Sequence, residues 1–226
     1  MGPMPRLIFI GDIHGCFDEL ADLASRLAPA PDDRVIAVGD LVAKGPASAR
    51  VIELFRERAW ESVKGNQDQK AIESTSAAPD LVGRHDLLEW LAALPDWIDL
   101  PSHGAIVVHG GILPGTPIAD SLLGDLRSSL RTLRFLRRDC KGEWLPVPKG
   151  NERNTDRFWA DLWDGDRIVV YGHSPVPDSQ PRIRVKTIGL DTGCVYGGRL
   201  TAAILEDGAW RFASVAARNV YAERGN

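Results

Sequence analysis

Short apolar runs that stop at glycine or a polar residue alternate along this chain with segments whose leucines recur every three or four residues. Arg6–Gly11 (RLIFIG), Arg34–Gly39 (RVIAVG), Trp60–Lys64, Ala105–His109 (AIVVH) and Arg167–Tyr171 (RIVVY) predict buried strands. Thr187–Asp191 and Thr201–Glu206 predict shorter ones. Phe17–Leu27, with Leu20, Leu23 and Leu27 at helical spacing, predicts a helix, as does Ala47–Arg58, with Val51, Leu54 and Phe55 on one face. Strands alternating with helices imply a mostly parallel sheet with right-handed crossovers.

The Leu- and Arg-rich stretch Asp120–Cys140 predicts a longer helix. On it Arg127, Arg131, Arg134 and Arg138 would form one stripe, and Leu123, Leu126, Leu130 and Leu133 the neighbouring one. The arginine stripe reads equally as a solvated face or as a seat for a polyanion. Lys141–Thr155, with Gly142, Pro146, Pro148 and Gly150, predicts a loop. Residues 111–165 form a small cap in this reading, within a single domain spanning residues 1–226.

Chemistry-bearing residues stand where strands end. The first strand runs into Gly11-Asp12-Ile13-His14-Gly15, the second into Gly39-Asp40-Leu41-Val42-Ala43-Lys44-Gly45-Pro46, and the third into Gly65-Asn66-Gln67-Asp68. Ala105–His109 leads into Gly110-Gly111, and Arg167–Tyr171 into Gly172-His173-Ser174-Pro175. In open α/β sheets ligands gather at the carboxyl ends of strands, so these clusters should converge. Asp12, His14, Asp40, Asn66, His109 and His173 then supply two carboxylates, three imidazoles and one amide oxygen. Oxygen and nitrogen donors without thiolate suit Mn²⁺, Fe or Zn²⁺, with Co²⁺ also compatible. Six ligands are too many for one open catalytic ion and fit two ions that share a carboxylate. A lone Gly-Asp is ordinarily a turn and a lone strand-end His ordinarily structural; here five such clusters fall in register.

Composition narrows the class. Against roughly 150 residues per domain, 226 residues with 44% hydrophobic and 26% charged content describe one soluble globular domain. No apolar run approaches the roughly 18 residues that span a bilayer, and Leu7-Ile8-Phe9-Ile10 is too short for a signal peptide. Net charge of −4 argues against nucleic acid as a partner. Three cysteines, an odd count without a CxxC pair, fit a reduced cytoplasm. His85 and His103 read as surface or loop histidines, and Cys194 as a small buried hydrophobe. Asp68 is placed as a helix N-cap. The tryptophans read mainly as packing, with Trp144 and Trp159 the candidates for touching a nucleobase.

These motifs resemble the calcineurin-like metallophosphoesterases, whose signatures are GDxHG, GDxxxxG, GNHE/D, a later His-Gly and a final GH. The resemblance runs from Asp12 to beyond His173 and is strongest to the phosphoprotein phosphatase branch. Within that branch it is strongest to the symmetrical diadenosine tetraphosphatases and related small bacterial phosphatases. Gly39-Asp-Leu-Val-Ala-Lys-Gly-Pro46 is similar to their GDLVARGP, and Gly172–Val176 and Asp191-Thr-Gly-Cys-Val-Tyr-Gly-Gly198 look like theirs. The resemblance implies an α/β fold of mixed sheets packed face to face, flanked by helices and carrying a small helical cap. It implies that Asp12, His14 and Asp40 hold a first ion, and that Asp40, Asn66, His109 and His173 hold a second. Asp40 and the position of Gln67 would be catalytic, and Lys44, Asn66, Arg131 and Arg134 would bind the substrate. Two divalent ions, manganese first, would be the cofactors, and a small phosphorylated molecule, a nucleotide above a phosphoprotein, the substrate.

The departures are informative. Gln67 stands where the family's motif has an acid His, Ala43 where protein phosphatases have the Asp that orients it, and Lys44 in place of the motif Arg. Glutamine donates no proton in acid catalysis. Three functions follow: a dinucleoside polyphosphate hydrolase, a protein phosphatase of the same fold, or a nucleotide-binding module weakened in turnover.

Overall fold

The computed structural model describes residues 5–117 and 128–224. Two five-stranded sheets form its centre. In the first, the order is β13 (Ala209–Ala216), β12 (Arg199–Glu206), β1 (Leu7–Ile10), β2 (Arg34–Ala37) and β3 (Glu61–Ser62). In the second, it is β10 (Arg182–Ile183), β11 (Thr187–Gly189), β9 (Ile168–Tyr171), β5 (Ala105–Val108) and β4 (Trp97–Leu100). The mostly parallel single sheet expected from strand–helix alternation is therefore corrected. Each sheet has three parallel strands, β1–β2–β3 and β5–β9–β11, flanked by antiparallel neighbours. The alternation is real in the first half of the chain, but hairpins such as β12–β13 close the sheets.

The period-2 rule explains how the layers stack. In β1, Ile8 and Ile10 face α1 (Phe17–Leu27) and α2 (Ser48–Glu57), packing with Leu20, Leu23, Ile52 and Phe55. Leu7 and Phe9 point the other way, into the seam between the sheets with Val38, Val107, Val170 and Leu190. Burial on both faces is why the run is apolar throughout. The helices α3 (Asn66–Glu73) and α4 (His85–Ala92) complete the outer layer.

Among the described residues the cap is built mainly from strands rather than helix. Its helix α5 spans only Ser129–Thr132, and the chain then extends into β6 (Phe135–Arg138). That strand pairs with β7 (Trp144–Pro146) and β8 (Arg157–Phe158) as a small antiparallel sheet. The leucine spacing that suggested a long helix serves tertiary packing instead. Leu130, Leu133 and Leu136 bury against Ile106, Val108, Trp159 and Tyr171 on the outer face of the second sheet. The arginine stripe therefore does not exist as a helical face. Arg127, Leu123 and Leu126 lie outside the described residues. The stretch expected as a loop holds β7, because Leu145 pairs with Arg137 across the small sheet. Trp159 is fully buried, in edge-on contact with Tyr171 at 4.9 Å, so it packs the cap and touches no base. Trp144 lies under the Arg138 guanidinium at 4.7 Å. No described helix is long and apolar enough to cross a membrane.

Candidate metal centre

Both sheets present the carboxyl ends of their parallel strands to one cavity, lined by Asp12, His14, Asp40, Lys44, Asn66 and Gln67 from the first sheet's side. Arg134, His173, Pro175, Asp191 and Tyr196 line the other side. The cavity measures about 30 Å³, enough for ions and waters. Five of the six expected ligands line it. The sixth, His109, is fully buried just beneath, with Nε2 3.3 Å from Asp40 Oδ1 and 3.1 Å from Asn66 Oδ1. His14 Nε2 lies 3.6 Å from Asp40 Oδ2 and 3.8 Å from Asp12 Oδ2. The six residues scattered over the sequence thus meet in one place.

The turns that deliver them are conformationally costly. His14, Asp40 and His173 all have positive φ, at 51°, 50° and 66°. Such backbone outside glycine costs on the order of 1–3 kcal/mol and persists only where the surroundings over-determine it. The restraints are visible. His14 N–H donates to Asp40 O at 2.8 Å, tying the first turn to the second. His173 N–H donates to both oxygens of Asp12, at 3.2 and 3.1 Å, across the two sheets. Gln67 N–H donates to Asp40 Oδ1 at 2.8 Å. Gly172 must be glycine, because a Cβ there would stand 2.0 Å from Asp12 Oδ1.

Asp68 stands at the third position of α3, one turn inside the N-cap position expected for it. Its carboxylate accepts from Gly65 N–H, Leu41 N–H and Val42 N–H, at 2.8, 2.9 and 3.2 Å. It therefore ties the Asp40 turn to the start of the helix that carries Asn66.

The histidines are oriented for coordination. His109 Nδ1–H donates to Val38 O at 2.8 Å, which leaves the Nε2 lone pair facing Asp40 and Asn66. Nε2 and two carbonyl-type oxygens then point at one another with no proton to share unless the ring is charged. Burial pulls His109 down, but Asp40 and then Asp12 override it and push it up to about 9. Burial, then His109, act on Asp40, and the histidine wins, holding it well below the usual carboxylate range. Burial and the nearby Asp191 push Asp12 well above that range. Burial lowers His14 to about 4, and burial with the neighbouring His109 holds His173 well below its usual value. Burial lifts Asp68 to about 7 and Asp191 to about 6. This is a site crowded with anions and short of positive charge. A divalent cation among these oxygen and nitrogen donors would take the place of the His109 proton and relieve the carboxylate repulsion, so the residues fit such an ion. One ligand atom each of Asp12, Asp40 and His109 falls within 4.8 Å of the others.

Positive side chains flank the cage. Lys44 Nζ stands 3.3 Å from His14 Nε2 and donates to the Tyr196 hydroxyl at 2.7 Å. Arg134 Nη2 donates to His173 O at 2.7 Å, while its buried Nε–H has no partner among the described residues. Arg131 is not at the cavity: it pairs with Asp96 at 2.8 Å. Sequence reasoning assigned no role to Asp191 or Tyr196. The strand-end rule would have found Asp191, which follows β11 as His173 follows β9. His85 and His103 are exposed, as expected, and Cys194 is buried.

Comparison with known proteins agrees with this geometry. The bis(5'-nucleosyl)-tetraphosphatase PrpE [asymmetrical] of Halalkalibacterium halodurans is 32% identical over 85% of this chain and 87% of its own length. The protein of the same name from Oceanobacillus iheyensis is 29% identical, covering 96% of this chain and 94% of its own. A crystal structure provisionally assigned as a diadenosine tetraphosphatase superposes with a TM-score of 0.80 at 34% identity, covering 96% of this chain and 97% of that one. The model of the calcineurin-like phosphoesterase family matches residues 5–210, and with the strand-end cage in place the chain belongs to that family of hydrolases.

Proposed function

We propose that this chain hydrolyses a phosphoanhydride bond of dinucleoside polyphosphates such as diadenosine tetraphosphate, with two manganese ions as the natural pair. The observation that carries this reading is the strand-end cage flanked by Lys44 and Arg134, two cations that line the same cavity. The names of the curated relatives support the nucleotide substrate. Asp12, His14 and Asp40 would hold one ion, and Asp40, Asn66, His109 and His173 the other, with Asp40 shared. Bound divalent ions supply an activated water and neutralise charge at the phosphoryl group.

The chain's own residues do the rest. Arg134, which lines the cavity, offers its guanidinium to a phosphoryl oxygen, and Lys44 adds a point charge on the His14 side. Tyr196 fixes the lysine through its hydroxyl. Asp68 pins the backbone just after Asp40 and ties it to Gly65, so the shared carboxylate does not wander. Gln67 holds Asp40 through its backbone N–H and offers only an amide to the leaving group. An acid usually contributes on the order of 10²–10⁴-fold, and most where the leaving oxygen is strongly basic. A nucleotide leaves as a stabilised phosphate anion, since such groups titrate near about pH 6. The absence of an acid at position 67 therefore favours anhydrides over phosphoserine, which sets the protein-phosphatase reading second.

The test is a substrate panel with added Mn²⁺: diadenosine tetraphosphate, p-nitrophenyl phosphate and a phosphopeptide, with products separated by chromatography. Unequal nucleotide products would match the asymmetrical designation of the relatives; equal ones would match the symmetrical enzymes. Turnover of the phosphopeptide alone, or of nothing with nucleotide binding kept, would overturn the proposal.

A further inference from the structure

A second group of ligand-type side chains meets outside the cage. Cys16 closes the turn that carries His14 and occupies the N-cap position of α1; Glu19 stands in that helix's first turn. Cys194 lies in the loop between β11 and β12, between Asp191 and Tyr196. All three are buried, and one ligand atom of each lies within 4.8 Å of the others. The hydrolytic chemistry uses none of them.

Two buried thiols alone are explained by packing. Glu19 is not. It is fully buried, and its Oε1 accepts from Arg218 N–H and from the Tyr221 hydroxyl, both at 2.8 Å. Those bonds fix the carboxylate, yet Oε2 has no partner among the described residues. A bare buried acceptor costs roughly 1–3 kcal/mol, more when charged. The guanidinium of Arg218 does not relieve it, being held by Asp18 at 3.2 Å and Asp22 at 2.7 Å. The Cys16 sulfur makes no cap bond to its helix; it lies within hydrogen-bond reach of the Cys194 thiol and 3.9 Å from His14 O.

We propose that Cys16, Cys194 and Glu19 hold a thiophilic divalent cation, zinc in the first instance, at a site separate from the strand-end cage. Two sulfurs and a carboxylate oxygen form a zinc-type donor set, whereas manganese and magnesium avoid thiolate. Ligand atoms around tetrahedral zinc stand roughly 3.5–4 Å apart, so the cluster needs to close by no more than about 1 Å. On entry of the ion the two S–H protons pass to solvent. Cys16 belongs to the His14 turn and Cys194 to the Asp191–Tyr196 loop, so the ion would join two walls of the cage from behind.

Cobalt is the probe. The reduced full-length protein is titrated with Co²⁺ and followed by optical absorption. Thiolate gives cobalt an intense near-ultraviolet charge-transfer band that oxygen and nitrogen donors do not give. With the strand-end cage first filled with Mn²⁺, the band should saturate, disappear on adding Zn²⁺, and persist in Cys140→Ser, which removes the exposed cysteine. It should be lost in Cys16→Ser and in Cys194→Ser, and Glu19→Gln should weaken cobalt binding by about tenfold or more. A measurement without variants guards against misfolding: alkylation of the wild-type cysteines, read by mass spectrometry, should slow at Cys16 and Cys194 when zinc is present. No band, a band that follows Cys140, or alkylation indifferent to zinc overturns the proposal.

Discussion

The cage and the cap sit on neighbouring parts of the same sheets but are held by opposite means. The cage is polar and conformationally strained: His14, Asp40, Ala43, Lys44 and His173 all have positive φ. Between Ala59 and His173, the stretch that includes the cap, no described non-glycine residue does. The cap instead stays in place by burying Leu130, Leu133, Leu136, Trp159 and Trp163 on the outer face of the second sheet. Strain is tolerated where the backbone is bonded across sheets, as His173 is to Asp12, and apolar area does the work where it is not. Damage to the two regions should therefore show in different measurements.

The largest effect belongs to Asp40, the ligand proposed to be shared. Asp40→Asn should lower kcat/KM by roughly 10³-fold or more and reduce bound manganese by elemental analysis, while leaving the thermal transition little changed. A variant that kept full activity would remove Asp40 from the centre. Trp159→Ala reverses the pattern. It should cost about 3–5 kcal/mol of stability in denaturant titration, with retained metal content at temperatures where the fold persists. Equal losses of metal and stability in both variants would erase the distinction between cage and cap.

Much of the cage was legible because its signals are local. Each ligand stands within a few residues of a strand's end, beside a glycine that lets the chain turn, and the order along the chain was enough to converge them. The two-sheet arrangement was less so. Leu7–Ile10 is apolar on both faces, and nothing in four residues says whether a helix or a second sheet covers each side. The cap was misread for a related reason. Leu130, Leu133 and Leu136 have helical spacing, but the surface they meet belongs to β5 and β9, distant in sequence, and that surface decides the conformation. Asp191 stood in a recognised motif without a role, although it obeys the rule that found His173.

Smaller effects sharpen the cage itself. Gln67→His should raise turnover of an alkyl phosphomonoester by about 10²-fold but that of a dinucleoside polyphosphate by less than about tenfold. Equal gains would sink the leaving-group argument. Arg134→Ala should raise KM for diadenosine tetraphosphate about 10–150-fold, with a smaller change for p-nitrophenyl phosphate, because a charged hydrogen bond of about 1.5–3 kcal/mol is lost.

The bond from His109 Nδ1–H to Val38 O spans the two layers, since His109 follows β5 and Val38 follows β2. The ring nitrogen that faces the ligands is thus aimed by the alignment of one sheet over the other. Any substitution that lets the layers slide, even deep in the seam around Phe9 and Val107, would swivel that imidazole before it unfolded anything. The reactive centre therefore works as a gauge of interlayer registry, and loosened cation affinity should be the earliest symptom of a failing core.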